Sequence, residues 1–199
     1  IEDYDANKLI KIPSHFNISD EVLAAFPITG FTSYSMIRKV MKPNAKVLVT
    51  ASRSNTSLGV INALKNLPIE VYAMTSNEKY IDNFKSIGVK DVLIANHGLE
   101  DYCDDKKFKQ KIEEIGGFDA IIDPFFDIHL ARVIDFLKMD SKYITCGLYN
   151  QFSEFDNNKL SHKGKNFNDI LFKIMVNNIS IIGNCIGLKE DGLKALNDL

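Results

Sequence analysis

The chain has 199 residues, 45% of them hydrophobic and 25% charged, which is enough apolar material for one large domain or two small ones. Its formal net charge of -2 gives no electrostatic reason to expect a nucleic acid or an anionic membrane as partner, and no apolar run is as long as a membrane span. Three cysteines without a C-x-x-C pair argue against a disulfide framework and predict free thiols in a reducing cytoplasm.

Residues 1–44 are expected to lead into the fold. They hold a short apolar segment at 8–12, predicted as a leading strand, and then one or two helices over 21–41. We expect a break near Pro27, because proline removes an amide donor from a helix interior. The chain begins with Ile1 rather than Met, so we expect a piece of a longer protein.

Residues 45–199 alternate short apolar runs with helical patterns. Strands are predicted over residues 46–50, 69–74, 91–95, 118–123, 142–146 and 179–185, and helices over 58–67, 77–87, 106–115, 127–137 and 166–175. The strand candidates are rich in Val and Ile without in/out alternation, which is typical of strands buried on both faces of a parallel sheet. The order of elements predicts an α/β fold, a doubly wound parallel sheet of about six strands with helices on both faces.

Several polar residues lie outside this alternation. The segment 150–165 has no periodicity and is predicted as a loop on the functional edge of the sheet. Asp123 ends a strand at the same edge and is interpreted as structural. The four histidines lack metal-ligand spacing and are expected to be solvated: His15, His97, His129 and His162.

The turn after the strand 46–50 carries the most informative pattern, because this strand, turn and helix are where a dinucleotide-binding unit carries G-x-G-x-x-G. Serine replaces each of the three glycines, in the run Ser52, Arg53, Ser54, Asn55, Thr56, Ser57. A helix N-terminus there offers amides to phosphate, and serine hydroxyls and the Arg53 guanidinium can add contacts. A Ser/Thr-capped turn that binds nothing is the alternative.

The end of the strand 69–74 bears on which nicotinamide cofactor is used. An acidic residue there would bind the adenosine ribose hydroxyls and repel a 2′-phosphate. Thr75 and Ser76 stand there instead, and Lys79 follows one helical turn later. This pattern favours NADP(H) over NAD(H). The alternative is that Ser76 only caps the next helix and Lys79 is solvated.

Several segments together resemble the medium-chain dehydrogenase/reductase superfamily. They are LAAFPITGFTSY at 23–34, KP at 42–43, VLVT at 47–50, FKSIGV at 84–89, FDAIID at 118–123 and YITCG at 143–147, in the family's order and spacing. The resemblance implies the Rossmann-type coenzyme-binding domain of an NAD(P)-dependent oxidoreductase whose GroES-like catalytic domain is missing from this chain. It implies a substrate with a polarised C=C or C=O bond or an alcohol, either a small molecule or a modified peptide.

The resemblance also implies which residues face the nicotinamide: Thr32, Phe125, Gly147 and Leu148. Zinc-type members place a cysteine ligand just after the proline of the first helix. Here Ile28 occupies that position, and because an aliphatic side chain cannot coordinate the metal, a zinc of that design is not expected.

The strand from Ile179 to Cys185 is where a member of this family would pair with a second copy, which predicts a homodimer. A different class of function stays open beside the oxidoreductase. In that alternative, the chain is a Rossmann module that has lost dinucleotide binding and serves as a scaffold or dimerisation unit.

Overall fold

The structure, a computed structural model, describes residues 5, 9–12, 17–40, 42–150 and 163–198. Within these residues six strands form one sheet, in the order β3-β2-β1-β4-β5-β6, and each pair is parallel. The strands are β1 (Lys46–Val49), β2 (Glu70–Thr75), β3 (Asp91–Ile94), β4 (Phe118–Asp123), β5 (Leu137–Thr145) and β6 (Ser180–Gly183). The chain builds outward from β1 to β3, then returns to place β4 on the other side of β1. The predicted doubly wound parallel fold is confirmed.

Helices cover both faces of the sheet. In the described residues they are α1 (Asp20–Val40), α2 (Asn55–Leu64), α3 (Ile81–Ser86), α4 (Lys106–Ile115), α5 (Phe126–Val133), α6 (Phe167–Val176) and α7 (Lys189–Asn197). Successive strand residues point to opposite faces, so Val47 and Val49 join one apolar cluster with α1 and α2, while Leu48 joins another with α4 and α5. These two clusters are the core.

Helix α1 passes through Pro27 without interruption, so the predicted break is wrong. Proline removes only one hydrogen bond, and it stands in the exposed first half of the helix, where Ile28 is 70% exposed. The second half buries Met36, Ile37 and Val40 in the core. This burial stabilises the helix by more than the one lost bond costs.

Other elements differ from the prediction at their ends. Residues 9–12, the described part of the expected leading strand, form no strand. The predicted helix 77–87 is a 3-10 turn (Glu78–Tyr80) followed by α3, and β5 begins at Leu137, inside the last predicted turn of α5. Helix α7 was not predicted. His15, His162 and most of the predicted loop 150–165 lie outside the described residues.

Candidate functional site

The turn after β1 places Ser52 inside the sheet rather than at its edge. Ser52 is 0% exposed. Its Oγ donates to the Val49 carbonyl oxygen (2.7 Å) and accepts from the Met74 amide (2.9 Å), so it links β1 to β2. The backbone reverses at Ala51, whose φ of 42° lies in the left-handed region. The hydroxyl at the first glycine position is thus occupied by backbone partners.

Ser54 and Ser57 fix the start of α2. Ser54 is the N-cap, and its Oγ accepts from the Ser57 amide (3.2 Å). The buried Ser57 hydroxyl donates to the Thr50 carbonyl oxygen (2.8 Å), which ties the helix to the end of β1. By helix geometry the amides of Asn55 and Thr56 are the remaining donors of this first turn. The helix end keeps its amides and its positive dipole, while the cap hydroxyl turns inward.

A cleft of about 580 Å³ opens at the carboxyl ends of the strands, between the turn after β1 and the start of α5. This is the point where the strand order reverses, which is where doubly wound sheets bind their ligands. Its lining residues are Ala51, Ser52, Arg53, Ser54, Met74, Thr75, Ser76, Ala95, His97, Phe125, Ile128, His129 and Tyr149. None of these lining residues, all from the described ranges, is acidic.

The predicted site residues fall into two groups. The cleft brings together Ser52, Arg53, Ser54, Thr75, Ser76 and Phe125. Its lining does not include Asn55, Thr56, Ser57, Lys79, Thr32, Gly147 or Leu148. Thr32 is buried within α1, and Leu148 lines a second cavity between α5 and α6. The Gly147 carbonyl accepts from the Phe126 amide (3.1 Å), and an added Cβ would lie 3.0 Å from the Pro124 oxygen.

Two cations flank one aromatic ring at the mouth of the cleft. The Arg53 guanidinium carbon lies 4.2 Å from the Tyr80 ring centroid, and the Lys79 ammonium lies 5.7 Å from it. Ser76 is exposed and does not cap the following turn, because the Asn77 side chain accepts from the Lys79 amide (2.9 Å) instead. Arg53, rather than Lys79, is the cation in the cleft wall.

Asp123, at the end of β4, joins three strands and a helix beneath the cleft. It is 0% exposed. Its carboxylate accepts from the Thr50 hydroxyl after β1, the Tyr143 hydroxyl on β5, His129 Nδ1 (2.8 Å) and the Phe125 amide (2.9 Å). Burial by itself would raise the pKa of Asp123, but the His129 ring and the hydroxyl donors bring it below its ordinary value. The structural interpretation of Asp123 agrees with these contacts.

His129 was expected to be solvated, and this is wrong. It is 1% exposed, on the inward face of α5 beside Leu130 and Val133. The helical period of that apolar face is the sequence signal that could have placed it inside. Asp123, six residues earlier at the strand end, is its partner.

His97 follows β3 and lines the same cleft, with its ring centroid 5.8 Å from that of His129. Its Nδ1 lies 3.1 Å from the Tyr102 hydroxyl and 3.2 Å from an Arg132 guanidinium nitrogen. His97 is exposed as a whole residue, as expected, although its ring is partly covered. The partial burial of the ring and the nearby charges of His129, Arg132 and Lys163 lower the pKa of His97 to about 4. Burial raises the pKa of Tyr102 to about 12. Sequence reasoning missed this pair of imidazoles.

The described residues contain no group of three or more His, Cys, Asp or Glu side chains that could hold a metal ion. None of the helices in the described ranges is long and apolar enough to cross a membrane.

Fold and cleft together define a doubly wound α/β domain of the Rossmann type. The same fold occurs in a thermostable alcohol dehydrogenase from Pyrobaculum aerophilum (TM-score 0.68, 20% identity, 91% of this chain and 47% of that chain). It also occurs in the quinone oxidoreductase of Thermus thermophilus, a structure described with its NADPH complex (TM-score 0.67, 16% identity, 97% and 56%).

A third similar structure is acetophenone reductase from Geotrichum candidum in complex with NAD (TM-score 0.69, 16% identity, 96% and 48%). This chain thus spans about half the length of the structures it matches. At these identities the likeness shows the fold alone, and the Rossmann-type fold that the resemblance implies is confirmed. A scan against protein-family models and a search of curated protein sequences found no match.

Proposed function

We propose that this chain is the coenzyme-binding part of an NAD(P)(H)-dependent oxidoreductase and prefers NADP(H). The observation that carries the proposal is the cleft at the reversal of strand order, which runs from the α2 N-terminus to the end of β2 without an acidic residue in its wall. In a dinucleotide site the pyrophosphate lies at that helix N-terminus and the adenosine ribose at the end of β2. Similar structures hold NADPH and NAD, as their names state.

The charge of the cleft wall supports the 2′-phosphate. Arg53 is its one arginine or lysine among the described residues, and Thr75 and Ser76 stand where a carboxylate would repel the phosphate. A guanidinium gives charge-assisted, bidentate hydrogen bonds to phosphate oxygens. Stacking on Tyr80 holds the guanidinium at the mouth of the cleft.

The chemical step follows from the cofactor. A bound nicotinamide would supply the hydride, and the chain's own residues would bind and orient the dinucleotide. The substrate we propose has a polarised C=C or C=O bond or is an alcohol, small or within a modified peptide. No step in this proposal uses zinc. Ile28, at the position of the family's cysteine ligand, points into solvent at the surface of α1.

Two further parts of the proposal concern the protein's surroundings. β6 is the last strand of the sheet, and Ile181 on it is 38% exposed, which supports pairing with a second copy through this edge. Cys103, Cys146 and Cys185 are all free, which is in keeping with a cytoplasmic protein.

Cofactor titration tests the proposal. The full chain is titrated with NADPH and NADH while the fluorescence of the reduced nicotinamide is followed. Arg53→Ala should weaken NADPH about 10- to 100-fold, the worth of a charged hydrogen bond, and NADH less than about 3-fold. Lys65→Ala, at the opposite end of α2, is the matched control and should change neither. Equal losses for both cofactors would refute the 2′-phosphate assignment, and no binding of either would refute the dinucleotide site.

A scaffold without dinucleotide binding is the second candidate, and one observation favours it. Ser52, Ser54 and Ser57 all direct their hydroxyls to backbone groups at the ends of β1 and β2 and at the start of α2 rather than to the cleft. The same titration separates the two candidates, because a scaffold binds neither cofactor.

A further inference from the structure

The two histidines in the cleft present hydrogen-bonding atoms of opposite polarity. His129 Nδ1 lies 2.8 Å from the Asp123 carboxylate, which can only accept, so Nδ1 carries the proton. In the neutral ring the lone pair then sits on Nε2, the ring nitrogen that Asp123 leaves available to the cleft.

His97 has the reverse arrangement. Its Nδ1 faces the Arg132 guanidinium at 3.2 Å, and a guanidinium can only donate, so Nδ1 carries the lone pair. The Tyr102 hydroxyl at 3.1 Å is compatible with the same role. The neutral ring therefore holds its proton on Nε2. Partial burial of the ring, the first cause of the lowered pKa of His97, favours the neutral ring near neutral pH.

With a ribose at Thr75 and Ser76, the base would occupy the rest of the cleft, at the ends of β3 and β4. There the wall consists of Ile128, Tyr149, the two imidazoles and Phe125, which the resemblance assigns to the nicotinamide and this inference assigns to adenine. The imidazole centroids are 5.8 Å apart, too close for a base to stack between them, since each face needs about 3.5 Å. The base must present its edge to them.

We propose that His129 and His97 form a donor and acceptor pair that reads the edge of adenine. His129 Nε2 accepts from the exocyclic amino group, and His97 Nε2–H donates to N1, the neighbouring ring nitrogen that carries a proton in hypoxanthine. Asp123 is the positioning residue, because it fixes the ring and tautomer of His129. This inference rests on the proposed function, because it assumes a dinucleotide in the cleft.

Hypoxanthine is the discriminating probe, since it carries a carbonyl where adenine carries the amino group and a protonated nitrogen beside it. The hypoxanthine carbonyl would then face the lone pair of His129 Nε2, and the protonated nitrogen would face His97 Nε2–H, so neither hydrogen bond could form. The full chain is titrated, in mildly alkaline buffer, with NADPH, NADH and the reduced hypoxanthine analogue of each, and nicotinamide fluorescence reports binding of all four. We expect the hypoxanthine analogues to bind at least about 10-fold more weakly than their adenine parents, the effect of losing one to two hydrogen bonds.

Variants assign the effect to residues. His129→Phe should reduce the adenine preference to less than about 3-fold. Because His129→Phe also removes one of the buried donors of Asp123, His97→Phe is the second variant, and it should reduce the preference without that cost. His129→Gln keeps an acceptor and should restore part of the preference.

The outcomes separate this inference from the proposed function. If adenine and hypoxanthine cofactors bind the unaltered chain equally, or if neither Phe variant changes their ratio, the inference is overturned while dinucleotide binding stands. If none of the four ligands binds, the proposed function fails and the inference with it.

Discussion

Replacing Asp123 by alanine is expected to bring the domain close to unfolding. The substitution removes the acceptor of three buried donors, the Thr50 and Tyr143 hydroxyls and His129 Nδ1–H, and of the partly buried Phe125 amide. An unsatisfied buried donor costs about 1–3 kcal/mol, so the three buried donors alone cost about 3–9 kcal/mol. A domain of this kind has a free energy of unfolding of about 5–15 kcal/mol.

Asp123→Asn should be much milder. The amide keeps the volume and one oxygen acceptor, and the Tyr143 hydroxyl can rotate to accept from the new NH₂ group. The substitution removes the negative charge of the acceptor from these hydrogen bonds, and we expect the free energy of unfolding to fall by about 1–2 kcal/mol. Asp82→Asn, an exposed carboxylate in the first turn of α3, is the matched control and should stay within about 0.5 kcal/mol of the parent.

Urea unfolding followed by far-UV circular dichroism measures these differences as the free energy of unfolding extrapolated to water, with the slope of each transition compared. The parent and Asp82→Asn should be equally stable, Asp123→Asn should be less stable than both, and Asp123→Ala should be the least stable. An Asp123→Ala chain within about 1 kcal/mol of the parent, at an unchanged slope, would refute the view that this carboxylate holds the strand ends together.

Two further perturbations test other parts of the structure. Gly59→Ala should destabilise the chain by about 1–3 kcal/mol, because the new Cβ would lie 2.5 Å from the Ser33 Oγ and 2.9 Å from the Thr29 Cγ2 between α1 and α2. Gly183→Ala, with nothing within 4 Å, is its control in a thermal melt, and a higher melting temperature for Gly59→Ala would contradict the close approach. Acidification should also destabilise the chain through His97, whose pKa is lowered from 6.5 to about 4 in the folded state. As the pH falls, the unfolded chain binds the proton before the folded chain does. The contribution of His97 to stability is therefore full above pH 6.5 and is lost as the pH drops toward 4. His97→Gln should flatten that part of the curve in pH-dependent melts, and an unchanged curve would show that another group causes it.

The sheet could be predicted from sequence because its strands are short apolar runs between turn signals. The elements that the sequence pattern predicted wrongly depend on tertiary packing. The proline pattern predicts a break in α1, but burial of the second half of the helix outweighs one lost hydrogen bond. The short exposed segment 9–12 has an apolar pattern but no described strand beside it.

The candidate site was predicted where it depends on a local turn and missed where it depends on the order of strands. Arg53 and Ser76 follow directly from the strand ends. In contrast, His97 meets the Asp123–His129 pair only because β3 and β4 end at the same edge of the sheet, and no spacing along the chain shows this. For the serines the sequence left two roles open, capping the helix or contacting phosphate, and their hydroxyls bind backbone groups at the ends of β1 and β2 and at the start of α2.

The strand order also affects how the chain folds during synthesis. β1 lies in the middle of the sheet, between β2 and β4, yet β4 is synthesised roughly 70 residues after it. At about 5–20 residues per second, the β4 side of Val47, Leu48 and Val49 stays unpaired for several seconds on the ribosome. An unpaired apolar strand edge is where chains aggregate, so this interval is when a chaperone would be needed most. It ends when Asp123 emerges and can accept from Thr50, so the last residue of β4 completes the centre of the sheet.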